Sequence, residues 1–167
     1  GLMTAAVTLT AAVGLWAADG PVADWLGVEL TDVDTGETFT IAEFAGKPIL
    51  LESFAVWCPV CTSQQRQIRA LHDAVGEDVV SISLDTDPNE TPAYVVQHKL
   101  RHGFDWKYAI APIAVVRALR AEFGVGVLSA PSAPVVLICP DQSVREMLPR
   151  GLKRADFLLQ QAAMCQA

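Results

Sequence analysis

Pro48-Ile49-Leu50-Leu51-Glu52-Ser53-Phe54, followed after Ala55 and Val56 by Trp57-Cys58-Pro59-Val60-Cys61, is the stretch whose reading decides the fold. The first run shows no alternation of polar and apolar residues, the pattern of a central strand buried on both faces. Pro59 is a favoured first-turn residue of a helix. Val60, Ile68, Leu71 and Val75 then share one helical stripe that Gly76 can end. The two cysteines therefore stand at a strand-to-helix junction. At a helix N-terminus Cys58 meets free N–H groups and the positive end of the helix dipole. That placement favours the thiolate, the nucleophile of disulfide exchange. Cys61, one turn further on, can resolve a mixed disulfide. Half of a zinc site has the same spacing, but a four-cysteine site needs a second close pair, and Cys139 and Cys165 are far apart in the chain. The motif reads as a dithiol/disulfide redox centre.

Bulk properties narrow the class. The chain has 167 residues, of which 51% are hydrophobic, enough for one folded domain with a core. A formal net charge of -7 argues against a nucleic-acid partner. Four cysteines are too few for a disulfide scaffold of this length. Residues 2–18, LMTAAVTLTAAVGLWAA, carry no charge, and the run sits at the lower limit of a membrane span, about 17 residues. We read it as a signal-peptide remnant or membrane anchor. An alanine-rich helix packed on the domain or on a second copy is the alternative.

The rest of the chain punctuates clearly. Residues 19–24 read as a linker and 25–167 as the domain. Trp25 to Leu30 reads as a strand, Asp32 to Glu37 as a turn and Thr38 to Ile41 as the return strand of a hairpin. After the first helix come a strand over Val79–Leu84 and a polar loop over Asp85–Asn89. A helix opened by Thr91-Pro92 and closed by Gly103 follows, then a short strand over Trp106–Ile110. Ile113, Val116, Leu119 and Phe123 mark another helix, closed by Gly124. Val135–Ile138 and Val144–Leu148 flank a turn, and a last helix covers Arg154–Cys165. This order predicts an α/β fold, a mixed central sheet with helices on both faces.

These features together resemble the thioredoxin superfamily, in particular its TlpA-like and redoxin branch. The resemblance runs from about Trp25 to the C-terminus and rests on Gly46-Lys47-Pro48 before the central strand, on Trp57 to Cys61, and on Leu84-Asp85-Thr86-Asp87 after the second strand. It implies a thioredoxin-like fold with an N-terminal β-hairpin extension, and a thiol–disulfide oxidoreductase in which Cys58 attacks and Cys61 resolves. Such proteins carry a buried strand carboxylate six residues before the first cysteine, which places that role on Glu52. A buried carboxyl has a raised pKa and can move a proton to or from Cys61. They also carry a proline, typically cis, that opens the next strand and faces the dithiol. Pro134 and Pro131 are the candidates, and Pro134 is chosen because the strand starts directly after it. Ala133 then presents backbone to an extended substrate, with Trp57, Pro59 and Val60 on the docking surface. The resemblance implies no cofactor beyond the Cys58–Cys61 disulfide, protein substrates bearing thiols or disulfides, a redox partner that recycles the dithiol, and a location outside the cytoplasm. It favours a reductant over an oxidant. One departure is the Pro59-Val60 dipeptide, where thioredoxins have Gly-Pro; these residues tune the redox poise. The rival readings are a copper-binding or copper-delivering redoxin-like module using the same cysteines and a histidine, and a non-catalytic partner-binding domain.

Of the remaining residues, His98 and His102 share a helical face, which reads as a solvated face rather than a metal site. Asp85, Asp87 and Glu90 read as a polar loop rather than a cation site. Cys139 and Cys165 are candidates for a second disulfide, for which sequence sets no distance.

Overall fold

In the computed structural model, which describes residues 23–143 and 145–165, the chain builds a five-stranded mixed sheet with helices on both faces. The sheet strands are β3 (Ile49–Phe54), β4 (Val80–Asp85), β5 (Lys107–Ile110), β6 (Val135–Ile138) and β7 (Arg145–Met147), in the spatial order β5-β4-β3-β6-β7. β3 runs parallel to β4 and antiparallel to β6, and all six of its residues are buried. This central position accounts for its unbroken apolar character and puts Glu52 in the interior. A separate antiparallel pair, β1 (Leu30–Thr31) and β2 (Thr38–Phe39), forms the N-terminal hairpin, with Leu30 opposite Phe39.

Two layers of core follow from the pleat. Leu50 and Phe54 point to the face covered by α1 (Pro59–Val75), α2 (Pro92–His102) and α4 (Ala155–Met164), where they join Ile68, Leu71, Val95 and Leu158. Ile49 and Leu51 point to the other face and pack with α3 (Ile113–Phe123) through Val115 and Leu119, and with Trp25, Leu26 and Ile41. Gly103 ends α2 in the left-handed region, at φ 68 and ψ 39, a conformation that favours glycine.

The structure corrects the sequence reading at the N-terminal edge. The expected strand from Trp25 is a 3-10 turn over Asp24–Gly27, and pairing begins only at Leu30. Trp25 and Leu26 are adjacent and both buried, which a strand with one buried face cannot achieve. The Trp25 indole N–H also donates to Glu122 Oε2 at 2.7 Å, anchoring the turn to α3. The return strand stops at Phe39, and Ile41–Phe44 form a second 3-10 turn. The α3 stripe is rotated: Val115 and Leu119 are buried, while Ile113 is 63% exposed. The expected anchor over 2–18 and residues 19–22 of the linker lie outside the described residues. Among the described residues no helix is long and apolar enough to cross a membrane.

Candidate active site

β3 delivers the chain to the cysteines, and the turn Ala55–Trp57 carries it into α1. Cys58 is the N-cap of α1, with Pro59 as its first residue. Cys58 Sγ accepts the Cys61 backbone N–H at 3.2 Å, as an N-cap side chain does. The Cys61 thiol donates to Cys58 Sγ at 2.6 Å, and its sulfur also lies 3.1 Å from the Ala130 carbonyl oxygen. Neither cysteine is in a disulfide, and both are buried, Cys58 at 1% exposure. Burial, the hydrogen bond to Cys58 and the charge of Glu52 push the Cys61 thiol well up, so it holds its proton. Trp57 stands 59% exposed beside the pair, and Pro59 and Val60 are also exposed.

Glu52 is fully buried on the α1 side of β3. Gln65 Nε2 and Ser83 Oγ both donate to its Oε2, at 3.0 and 2.8 Å, while Oε1 has no hydrogen-bond donor. Burial pushes its carboxyl up to about 8; those two hydrogen bonds and the Lys153 charge pull the other way. Lys153 is itself buried, and its Nζ donates to the carbonyls of Ala133, Gly151 and Pro149 at 2.5, 2.6 and 3.1 Å.

The proline loop differs from expectation. Pro134 does open β6, but no peptide bond among the described residues is cis. The Pro134 carbonyl accepts Ser53 N–H at 3.2 Å, so it belongs to the sheet. Ala133 is wholly buried in a left-handed conformation, φ 46; its N–H donates to Ala130 and its carbonyl accepts from Lys153. Neither backbone group of Ala133 is free for a substrate. The 3-10 turn Ala130–Ser132 inserts ahead of β6, so the segment that meets the dithiol is Ala130-Pro131. An open groove of about 320 Å³ runs past it, lined by Trp57, Asp87, Leu128, Ala130 and Pro131. A larger cavity, about 490 Å³, lies near the start of β4 against Trp106 and Lys107, at the opposite end of the strands from the cysteines. Its lysines are already engaged: Lys99 with Asp34, Lys107 with Asp32, and Lys47 with the Glu77 carbonyl.

Several partners escaped the sequence reading. His98 is buried, not solvated; its ring stacks on Phe54 and its Nε2 lies 2.6 Å from Gln65 Oε1. Burial holds it down to about 4, hence neutral. His98 thus orients the amide that reaches Glu52. The loop after β4 also reaches the dithiol turn: Glu90 Oε2 accepts Val56 N–H and Asp87 Oδ2 accepts the Trp57 indole N–H, both at 2.7 Å. The only signal in the sequence was the density of acids over Asp85–Glu90. Cys139 and Cys165 are joined in a disulfide that ties the end of β6 to the end of α4. No cluster of three or more His, Cys, Asp or Glu able to hold a metal occurs among the described residues.

Comparison with known proteins agrees with this geometry. The family model for Redoxin matches residues 21–147. No curated protein matches the sequence. Among solved structures, a thioredoxin-family thiol:disulfide interchange protein from Chlorobium tepidum TLS is similar at 20% identity and TM-score 0.68, covering 84% of this chain and 93% of its own. A secreted Mycobacterium tuberculosis disulfide oxidoreductase, described as homologous to E. coli DsbE, is similar at 18% identity and TM-score 0.66, covering 85% and 99%. BsSco, a member of the Sco family of cytochrome c oxidase assembly proteins, is similar at 15% identity and TM-score 0.67, covering 84% and 91%. These likenesses establish a common thioredoxin-like fold. With the family match spanning most of the sequence and a cysteine pair set at the head of α1, the chain belongs to the Redoxin family and is a thiol–disulfide oxidoreductase.

Proposed function

We propose that this protein reduces disulfides in protein substrates outside the cytoplasm, with Cys58 as nucleophile, Cys61 as resolving thiol and Glu52 as proton carrier. The observation that carries the reading is the paired hydrogen bonding at one sulfur: Cys58 Sγ accepts both the Cys61 N–H and the Cys61 thiol. That arrangement makes Cys58 Sγ the acceptor of the pair and leaves the proton on Cys61. The Cys58 thiolate attacks a substrate sulfur, forming a mixed disulfide and expelling one substrate thiolate. Cys61 then attacks Cys58 Sγ and expels the second thiolate, its proton passing to the ionised fraction of Glu52, whose carboxyl burial pushes up to about 8. Two electrons pass to the substrate, and a redox partner must return them. Substrate backbone has room in the groove between Trp57 and Ala130-Pro131.

Burial supports a reductant. Both sulfurs are buried, which adds a desolvation cost to a thiolate, and the two acids Asp87 and Glu90 hold the turn that precedes Cys58. A destabilised thiolate favours the disulfide form, and a stable disulfide means a low potential. Two observations support the location. The Cys139–Cys165 disulfide suits an oxidising compartment, and the similar Mycobacterium tuberculosis protein is described as secreted. Residues 2–18 would supply export or anchoring. Equilibration of the Cys58/Cys61 pair with dithiothreitol tests the direction. A potential near that of thioredoxin, about −270 mV, is expected; one near that of DsbA, about −120 mV, overturns the reductant reading.

A further inference from the structure

Glu52 on β3 pairs in register with Ser83 on β4, and the Ser83 hydroxyl donates to Glu52 Oε2 at 2.8 Å. From α1, Gln65 Nε2 donates to the same oxygen at 3.0 Å. Each of these donors has a further group behind it. The indole N–H of Trp106, just ahead of β5, donates to Ser83 Oγ at 2.9 Å. An indole can only donate, so it fills the acceptor side of the hydroxyl and turns the hydroxyl hydrogen toward Glu52. On α2, His98 Nε2 lies 2.6 Å from Gln65 Oε1. An amide oxygen can only accept, so Nε2 carries the imidazole hydrogen and the Gln65 NH2 group is left facing Glu52. Ring contacts fix both ends: Trp106 stacks on His72 and His98 stacks on Phe54, each with centroids 5.8 Å apart. Glu52, Ser83, Gln65, Trp106 and His98 are all buried, where an unmade hydrogen bond is costly. Glu52 Oε1 alone has no hydrogen-bond partner among the described residues of this network.

We propose that Trp106 with Ser83, and His98 with Gln65, are positioning residues for Glu52: two chains of donors keep Oε2 as the acceptor, so the carboxyl takes up and releases its proton at Oε1. The part this proton plays in disulfide exchange rests on the reading of Glu52 as proton carrier. The division follows from how a carboxylic acid accepts hydrogen bonds. Its carbonyl oxygen accepts well and its hydroxyl oxygen poorly, so two donors on Oε2 make Oε2 the carbonyl and send the proton to Oε1. In the ionised form the same two donors stay on Oε2. Neither donor has to turn when the proton comes or goes, and the site is preorganised for the transfer. The donors favour the carboxylate, so they oppose the burial that pushes the carboxyl up to about 8. Of the titratable groups around Glu52, the Cys61 thiol on α1 and the Tyr108 phenol on β5 are pushed up and keep their protons, and His98 on α2 is neutral. Lys153, ahead of α4, is held down to about 8 by burial and titrates in the same range, so the proton is to be read at Glu52 itself.

The test uses the full chain in its disulfide form, where Cys58 and Cys61 do not titrate. Infrared difference spectra across the range from about pH 6 to about pH 10 give the carbonyl band of the Glu52 acid, identified by its loss in Glu52→Gln. A carbonyl that accepts two hydrogen bonds absorbs at lower wavenumber than a free one, so the band should move to higher wavenumber in Ser83→Ala. A band at the free-acid position in the wild type, unmoved by Ser83→Ala, would put the proton on Oε2 and overturn the proposal. The midpoint of the same titration should rise by about one pH unit in Ser83→Ala, as loss of a hydrogen bond to a charged group implies. It should rise also in His98→Phe, and His98→Gln, which keeps an N–H near the place of Nε2, should restore it. Trp106→Phe frees the Ser83 hydroxyl to turn and should move band and midpoint in the same directions as Ser83→Ala. A midpoint unmoved in Ser83→Ala or in His98→Phe overturns the positioning role. Nitrogen NMR of the wild type needs no substitution: a hydrogen on His98 Nε2 is expected, and one on Nδ1 overturns the His98 chain. If the midpoint moves in these variants while the pH–rate step of insulin reduction does not follow it, Glu52 is not the proton carrier, and the two donor chains stand.

Discussion

Glu52 puts a carboxyl on the middle strand of the sheet, with two donors on one oxygen and none on the other. Its ionised form is therefore the costly one, and it holds a proton at neutral pH that an exposed glutamate would release. For the reaction, Glu52→Gln removes the group that exchanges a proton with Cys61. We expect exchange slowed by about 10²-fold, in line with a typical general acid–base contribution, and loss of the step near pH 8 from the pH–rate profile of insulin reduction; an unchanged profile would leave Glu52 structural. For stability the sign is opposite to that of a salt-bridged acid. The folded protein keeps this proton up to about 8, whereas the unfolded chain releases it near 4.5. Between those values the native state binds more protons, so stability falls as pH rises, by about 1.4 kcal/mol per pH unit at most. Asp85, raised to about 7, adds to the same trend. Denaturant midpoints at pH 5 and 8 should converge in Glu52→Gln relative to wild type.

At the scale of elements, α1 does more than present cysteines. Its first turn meets the dithiol, and one turn later Gln64 and Gln65 are both wholly buried. Gln64 Nε2 donates to the Lys153 carbonyl at 3.0 Å and its Oε1 accepts Lys153 N–H at 2.8 Å, sealing the stretch that leads into α4. That same stretch places Lys153 Nζ on the Ala133 carbonyl, which fixes the loop over the dithiol. Gln64→Ala leaves a buried N–H and a buried C=O unpaired, at about 1–3 kcal/mol each. A loss of about 2–5 kcal/mol in urea unfolding is expected; a loss below about 1 kcal/mol would mean that water replaces the amide. These glutamines explain what the sequence could and could not convey. The span of α1, its N-terminal proline and its closing glycine are local properties, and so is the apolar character of β3. The buried face of α1 is part polar because its partners lie 89 residues away at Lys153 and 33 away at His98. No periodicity reports such pairings, so His98 read as part of a solvated face and Gln65 gave no signal at all. The proline loop was legible only in part for a similar reason: the strand start after Pro134 could be read, but the extra 3-10 turn Ala130–Ser132 and the buried, left-handed Ala133 could not.

At the scale of the whole molecule, two cysteine pairs serve different ends of one sheet. The free pair sits at the C-terminal end of β3, while Cys139, at the end of antiparallel β6, lies toward the start of β3, where Ile138 pairs with Ile49. Its bond to Cys165 spans a sequence separation of 26 and fastens α4, whose Leu158 and Ala162 lie in the core with Cys61. Constraining a loop of that length in the unfolded chain is worth about 3 kcal/mol. The Cys139→Ser/Cys165→Ser variant should therefore unfold at lower denaturant by about that amount. Its Cys58/Cys61 potential should stay within about 15 mV of wild type, because the two pairs sit at opposite ends of the strands; for a two-electron couple that limit is a factor of about three in the equilibrium constant. The measurement is a pair of curves, urea unfolding and dithiothreitol equilibration, on wild type and variant. An unchanged unfolding midpoint would show that the helix is held without the bond. A shift in potential beyond that limit would show that α4 transmits the state of one pair to the other, through Gln64 and Lys153 or through its own packing on Cys61.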